Sequence, residues 1–314
     1  MKNLRFVCAQ PAIEYYAWQV EVMIHNFIDV GINPNNIDIV CWKPNGVIPE
    51  SWLKLASHYN YVRFFFYEDT RETRNYISSI RPNILKQHWA AHPELSEEAI
   101  FYHDNDIMFT KKIDWNKFLE DDKWYGSDTR WYISHEYILS KGQEILDAMC
   151  EIVDIDQQVV KDNELNCIGA QYLLKNIDYD FWNSVEMQSE VLFKEITAMN
   201  VAKKKAEPKY HELQIWCSDM WAVLWNGWKR NNETVCHDDF KFSWGTSNEK
   251  DYFENNVFHN AGVVTSADGL FYKANYMDKF PYNENLKINE KTASWYYYEH
   301  IKNVAKKSCL VEKK

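Results

Sequence analysis

Over its first hundred residues the chain alternates short apolar runs with stretches of helical periodicity. Residues 4–9 read as a buried strand. Tyr16, Val20, Met23, Phe27 and Val30 then recur at helical spacing up to Gly31, a residue suited to the left-handed position after a helix. Residues 37–42 and 61–67 are further strands with a short helix at 52–58 between them, and 99–102 is a fourth strand. A helix is predicted over 77–92, broken near Pro82. This alternation predicts an α/β fold: one mostly parallel central sheet with helices on both faces. Ligands of such sheets bind beyond the carboxyl ends of strands, which is where Gln10, Asp69 and Asp104 fall.

The second half is less regular. Residues 124–132 read as a strand or loop rich in rings, 140–153 as a helix, and 166–173 as a loop entering a helix. Phe181, Val185, Leu192, Ile196 and Met199 mark another helix. Residues 203–209, with three consecutive lysines and Pro208, read as a loop or flexible lid. A C-terminal helix with a basic tail closes the chain, so the expected division is one domain over 1–290 and a helix with tail over 291–314. There is no internal repeat and no low-complexity tract.

The apolar run Ala99-Ile100-Phe101-Tyr102 leads into His103-Asp104-Asn105-Asp106 and a second apolar run, Ile107-Met108-Phe109. In an extended backbone, positions i and i+2 share a face, so Asp104 and Asp106 would project together. Two hard oxygen donors suit Mg²⁺ or Mn²⁺, which keep coordination positions for substrate phosphates. A solvated surface turn is the competing reading.

His259, in Phe258-His259-Asn260-Ala261-Gly262, is either a hydrogen-bonded turn residue or a further ligand. Asp219 is an acid among apolar neighbours, so it must be paired, capping or used. Arg81 and Lys86 precede the acidic motif and are placed to meet a diphosphate or simply solvent. Asp128 and Arg130 are placed to reach sugar hydroxyls or each other, and Gln171, with Asn166 and Gly169, offers sugar contacts or a turn.

Aromatic residues make up 16% of the 314-residue chain, enough both to pack a large core and to present flat faces to a ligand. The net charge of −11 argues against a broad nucleic-acid footprint. A local patch of Lys203, Lys204, Lys205 and Lys209 is the one place that would oppose this. Seven scattered cysteines indicate neither a zinc ribbon nor a disulfide framework and favour a reducing compartment. The N-terminal apolar run is too short for a signal peptide and no segment reaches membrane-spanning length, so a cytoplasmic location, a host's if the protein is viral, is expected. Walker, dinucleotide and Gly-x-Ser-x-Gly signatures are lacking.

Taken together, His103-Asp104-Asn105-Asp106, Trp216-Cys217-Ser218-Asp219-Met220-Trp221 and Phe258-His259-Asn260-Ala261-Gly262 resemble the hydroxyproline O-arabinosyltransferase and peptidyl-serine galactosyltransferase group, in its soluble viral or bacterial form. The likeness runs from the first strand to about Val264. It implies a single Rossmann-like GT-A domain and a metal-dependent glycosyltransferase that moves a sugar from a nucleotide-sugar donor, UDP-linked, to a hydroxyl acceptor with retention. By resemblance Asp104, Asp106 and His259 would hold Mn²⁺ (or Mg²⁺) and Asp219 would lie near the donor sugar; by their own placement and chemistry, Gln171 would act with Asp219 at the transferring sugar, and Gln10, Asp69, Arg81, Lys86, Asp104, Asp128 and Arg130 would line the donor. The plant enzymes are membrane-anchored, whereas no anchor is expected for this chain, so the acceptor stays open among protein, glycan and a hydroxymethylated DNA base. The rival readings are a carbohydrate-binding protein without turnover and a nucleotidyltransferase. The nucleotidyltransferase reading lacks its usual Gly-rich N-terminal loop in Cys8-Ala9-Gln10-Pro11.

Overall fold

The computed structural model of the chain describes residues 3–311. The extreme ends, with the last two lysines of the basic tail, lie outside the described residues. The strands are β1 (Leu4–Pro11), β2 (Ile37–Trp42), β3 (Arg63–Tyr67), β4 (Ala99–Tyr102), β5 (Ile107–Phe109), β6 (Trp124–Asp128), β7 (Ile168–Lys175), β8 (Thr234–Cys236), β9 (Phe242–Trp244) and β10 (Val257–His259). Seven share one sheet in the order β3-β2-β1-β4-β7-β6-β8, and three form another in the order β5-β10-β9. The α/β class and the mostly parallel sheet expected from the alternation are observed. Strand β2 is parallel to β1 and β3, and β8 to β6, while β7 runs antiparallel to both β4 and β6.

The chain divides into two compact units, one of Asp69–Tyr102 and Phe118–His237 with the residues up to Leu4, the other of Arg5–Glu68, His103–Lys117 and everything from Asp238 onward. In the first, the long helix Tyr179–Ala206 packs against the helices Ile80–Ala91 and Ser218–Lys229. Indole rings fill this core, two of them with their N–H groups satisfied: Trp124 donates to the Lys175 carbonyl at 2.8 Å and Trp221 to that of Ile133 at 2.9 Å, whereas Trp182 and Trp225 are buried with no partner for theirs. In the second unit the helix Glu14–Asp29 buries Trp18, Val22, Met23, Ile24 and Phe27. Most rings therefore pack the core. Among the described residues no helix is long and apolar enough to cross a membrane.

Four local expectations are corrected. Pro82 does not break its helix, because it falls in the first turn of Ile80–Ala91, where an amide N–H has no intrahelical partner to lose. Residues 168–175 are strand β7, not a loop entering a helix. The misleading glycine is there for space, since a Cβ on Gly169 would lie 2.5 Å from the Met220 methyl and from the Thr129 hydroxyl. The three lysines at 203–205 form no lid: they end the helix Tyr179–Ala206, where cations favour the negative end of the helix dipole. Lys203 pairs with Glu144, and Lys204 donates to the Tyr210 carbonyl at 2.7 Å. His259 belongs to strand β10, and only Gly262, at φ 80°, makes the turn beyond it.

The carboxylate of Glu21 is fully buried in the second unit. It accepts from Tyr59 Oη (3.0 Å), Tyr282 Oη (2.6 Å), Ser308 Oγ (2.6 Å) and the Cys309 N–H (2.9 Å), tying the C-terminal segment to the first helix. Glu21→Ala would strand these buried donors and should cost about 3 kcal/mol in urea unfolding. A loss below about 1 kcal/mol would show that the cluster is dispensable.

Candidate functional site

The acidic motif sits where the chain leaves one sheet and enters the other. The His103 N–H still donates to the Val7 carbonyl at 3.1 Å, and its imidazole is buried 5.1 Å from the Phe27 ring. Burial lowers the His103 pKa to about 4, so this histidine is neutral. Asp104-Asn105-Asp106 then turns into β5. The two carboxylates are thus brought together by a turn, rather than by the extended backbone that the i, i+2 argument assumes.

Side-chain and strand pairing hold β5 in place. The Asn26 amide grips the Phe109 backbone at both ends, accepting from its N–H at 2.7 Å and donating to its carbonyl at 3.0 Å. Strand β10 runs antiparallel to β5 with His259 opposite Ile107, and the Asn260 N–H donates to the Asp106 carbonyl at 2.9 Å. That register delivers the His259 ring to the acids. Its Nε2 lies 3.4 Å from Asp104 Oδ2 and 3.3 Å from Asp106 Oδ1, and the ring lies nearly parallel to Trp244.

The ligand atoms of Asp104, Asp106 and His259 all fall within 4.8 Å of one another, the one such group among the described residues. Two carboxylates and an imidazole are a fitting donor set for a divalent ion of the Mg²⁺ or Mn²⁺ type. Sequence reasoning missed two further members. Lys273 Nζ contacts Asp106 Oδ2, and the Tyr15 phenol feels both Lys273 and Asp106. Neither carries a motif: Lys273 opens the short 3-10 helix Lys273–Tyr276 and Tyr15 stands at the start of a helix, so only the folded chain reveals them.

Opposing effects set the charges here. Burial pushes the Asp106 pKa up, but the Lys273 ammonium and His259 hold it far below the usual carboxylate range. Burial would lower His259, yet the Asp106 and Asp104 carboxylates raise it to about 9. Burial would also lower Lys273, and Asp106 with Tyr15 keeps it above its ordinary value. Burial raises Tyr15 to about 12, with Lys273 opposing. Without a metal the site is therefore a neutralised cluster of two anions and two cations.

The other expected residues have defined partners. In the same unit Gln10 is buried, its amide N–H donating to the Val40 carbonyl at 3.3 Å. In the first unit, Asp219 sits in the opening turn of the helix Ser218–Lys229 but does not cap it with its side chain. Its carboxylate accepts from Tyr76 Oη at 2.7 Å and from Arg81 Nη2 at 2.6 Å. Lys86 is paired with Glu186 at 2.7 Å. Asp69 is held by Arg71 and Arg74, each at 2.9 Å. Asp128 and Arg130 pair with each other at 2.5 Å, the competing reading of that couple. Gln171 is fully buried and accepts from Ser127 Oγ at 2.6 Å.

Neither a protein-family model nor a curated protein sequence matches the chain. Among solved structures it is similar to the apo bifunctional glycosyltransferase WbbM, with 8% identity and a TM-score of 0.47 over 95% of this chain and 52% of that one. The chain thus spans about half that structure's length. It is also similar to the galactosyltransferase LgtC in complex with donor and acceptor sugar analogues (11% identity, TM-score 0.42, 96% and 95% covered). A third is mouse xyloside xylosyltransferase 1 in its apo form (9% identity, TM-score 0.38, 82% and 97% covered).

The raised pKa of His259 links stability to pH. In chelator-treated protein the imidazolium's contribution is fully present below its unfolded value, near 6.5, and is lost as pH rises through about 9. The melting temperature should therefore fall from pH 6.5 to 9 more steeply than in His259→Gln. Equal slopes would refute the pairing.

Proposed function

We propose that this protein is a metal-dependent glycosyltransferase that moves a sugar from a nucleotide-sugar donor to a hydroxyl acceptor. The observation that carries the reading is the convergence of Asp104, Asp106 and His259 at the turn between β4 and β5. The resemblance of the three sequence motifs extends it to a UDP-linked donor and retention at the anomeric carbon. In the reaction, the bond from the anomeric carbon to the diphosphate oxygen breaks and the diphosphate takes the electron pair. The acceptor hydroxyl oxygen bonds to that carbon, and its proton passes to the departing phosphate.

Asp104 and Asp106 would hold the divalent ion through their carboxylates, and His259 through Nε2 once its proton has left. When bound, such an ion neutralises charge growing on the leaving diphosphate. Trp244 keeps the His259 ring aligned. For Asp219 the proposed role is to stabilise positive charge on the transferring sugar, its carboxylate fixed by Tyr76 and Arg81.

A thermal-shift panel of UDP-, GDP- and CMP-sugars, each with Mn²⁺ and with chelator, tests the reading. One UDP-sugar should stabilise the protein only with Mn²⁺. Asp104→Asn and Asp106→Asn should each abolish that shift while leaving the circular dichroism unchanged. A panel without any metal-dependent hit would oppose transfer, and glycan binding without nucleotide would replace it by a carbohydrate-binding role. Asp219→Asn should lower turnover about 100-fold with Mn²⁺ affinity unchanged. Full turnover in that variant would remove Asp219 from the mechanism.

A further inference from the structure

We propose that Lys273 is the resident cation of this metal centre: its ammonium and a divalent ion are alternative partners of Asp106, and metal loading frees the amine for the phosphates of the donor. The proposal rests on the metal-dependent reading above. Both oxygens of the buried Asp106 carboxylate are engaged, Oδ1 by His259 Nε2 at 3.3 Å and Oδ2 by Lys273 Nζ. An approaching cation therefore meets an anion that already has its countercharge.

Charge counting gives the direction of the exchange. Asp104 and Asp106 contribute two negative charges and Lys273, on Asp106 Oδ2, one positive charge. A divalent ion would add two more, with His259 ligating through the lone pair of a neutral Nε2. Keeping Lys273 in place would then leave a net positive charge in a buried site, with ammonium and metal on the same carboxylate. Repulsion between like charges is strong where water is excluded. Moving Lys273 off Asp106 restores the balance.

The local structure lets the amine move without the backbone. Phe271 is fully buried, and its N–H donates to Ser294 Oγ at 2.6 Å. The Tyr276 ring stacks on Phe271 at 5.4 Å and 3°, and its carbonyl accepts from Trp18 Nε1 at 3.3 Å. Lys273 is thus held between two anchors, but its side chain keeps 27% exposure and a four-carbon stem with freely rotating bonds. A displaced ammonium is a compact point charge, well matched to phosphate oxygens.

The test measures Mn²⁺ affinity by the electron paramagnetic resonance of free Mn²⁺, in wild type, Lys273→Gln and Lys273→Arg. Lys273→Gln should bind Mn²⁺ about tenfold more tightly, and Lys273→Arg, which keeps a cation, within about twofold of wild type. With saturating Mn²⁺, Lys273→Gln should bind UDP about tenfold more weakly. In the wild-type protein, acylation of Lys273 read by peptide mass spectrometry should rise several-fold on adding Mn²⁺ and fall again with UDP, a readout that needs no variant to fold. Unchanged or weaker Mn²⁺ binding by Lys273→Gln, or Lys273 acylation indifferent to Mn²⁺, would overturn the exchange. UDP binding unaffected by Lys273→Gln would overturn its phosphate step. Failure of both wild type and Lys273→Gln to bind Mn²⁺ would overturn the metal-dependent reading as well. Wild-type binding left unimproved by the variant would overturn only the exchange.

Discussion

The candidate centre depends on the antiparallel pairing of β5 with β10. Three residue pairs, Phe109 with Val257, Met108 with Phe258 and Ile107 with His259, fix where the imidazole meets the acids. Because side chains alternate along a strand, a slip by one residue would turn His259 to the opposite face and put Phe258 in its place. The register is reinforced on both sides. The Asn26 amide grips the outer end of β5, β9 lies parallel to β10, and the Asn260 N–H reaches the Asp106 carbonyl. A short three-stranded sheet has few hydrogen bonds of its own, so these supports carry much of its precision.

The turn that leads into this pairing creates an electrostatic problem. It brings a buried carboxylate and a second acid together, and an unpaired buried charge is costly. His259 and Lys273 supply the balance, one from the paired strand and the other from the short 3-10 helix Lys273–Tyr276. The acids stay ionised for this reason, and ionised acids are what a divalent ion requires. The cluster thus carries its own countercharges, and its donor set is chemically suited to a divalent ion.

The first unit solves a similar problem with a polar network. Buried Glu190 accepts from the Asn75 N–H at 2.7 Å and from the Tyr76 N–H at 3.3 Å, while Arg71 donates to the Tyr76 carbonyl and to Ser79 Oγ. Tyr76 in turn donates its hydroxyl to Asp219. The segment ahead of the helix Ile80–Ala91 is therefore largely irregular yet tied down by buried polar bonds, and its Tyr76 hydroxyl helps fix the orientation of the Asp219 carboxylate. Charged residues that look like ligand contacts one at a time, such as Asp69 and Lys86, are here structural partners of their neighbours.

By itself the sequence determined the alternation of strands and helices through residue 102, because buried strands and amphipathic helices leave local periodicities of two and 3.6. It also marked Asp104, Asp106 and His259, whose chemistry is visible in their residue types and local motifs. Signals that local pattern leaves ambiguous were decided elsewhere. Residues 166–173 look like a loop entering a helix, but most of them lie in strand β7, where Met220 and Thr129 need the space that Gly169 leaves, and the lysines at 203–205 look like a loop until the helix beneath them is continued. Only the tertiary structure placed Lys273 and Tyr15 beside Asp106, and only it showed that a turn rather than an extended strand joins the two acids. The physical reason is that periodicity records how a segment buries its own face, whereas partners distant in the chain are chosen by strand register and charge balance.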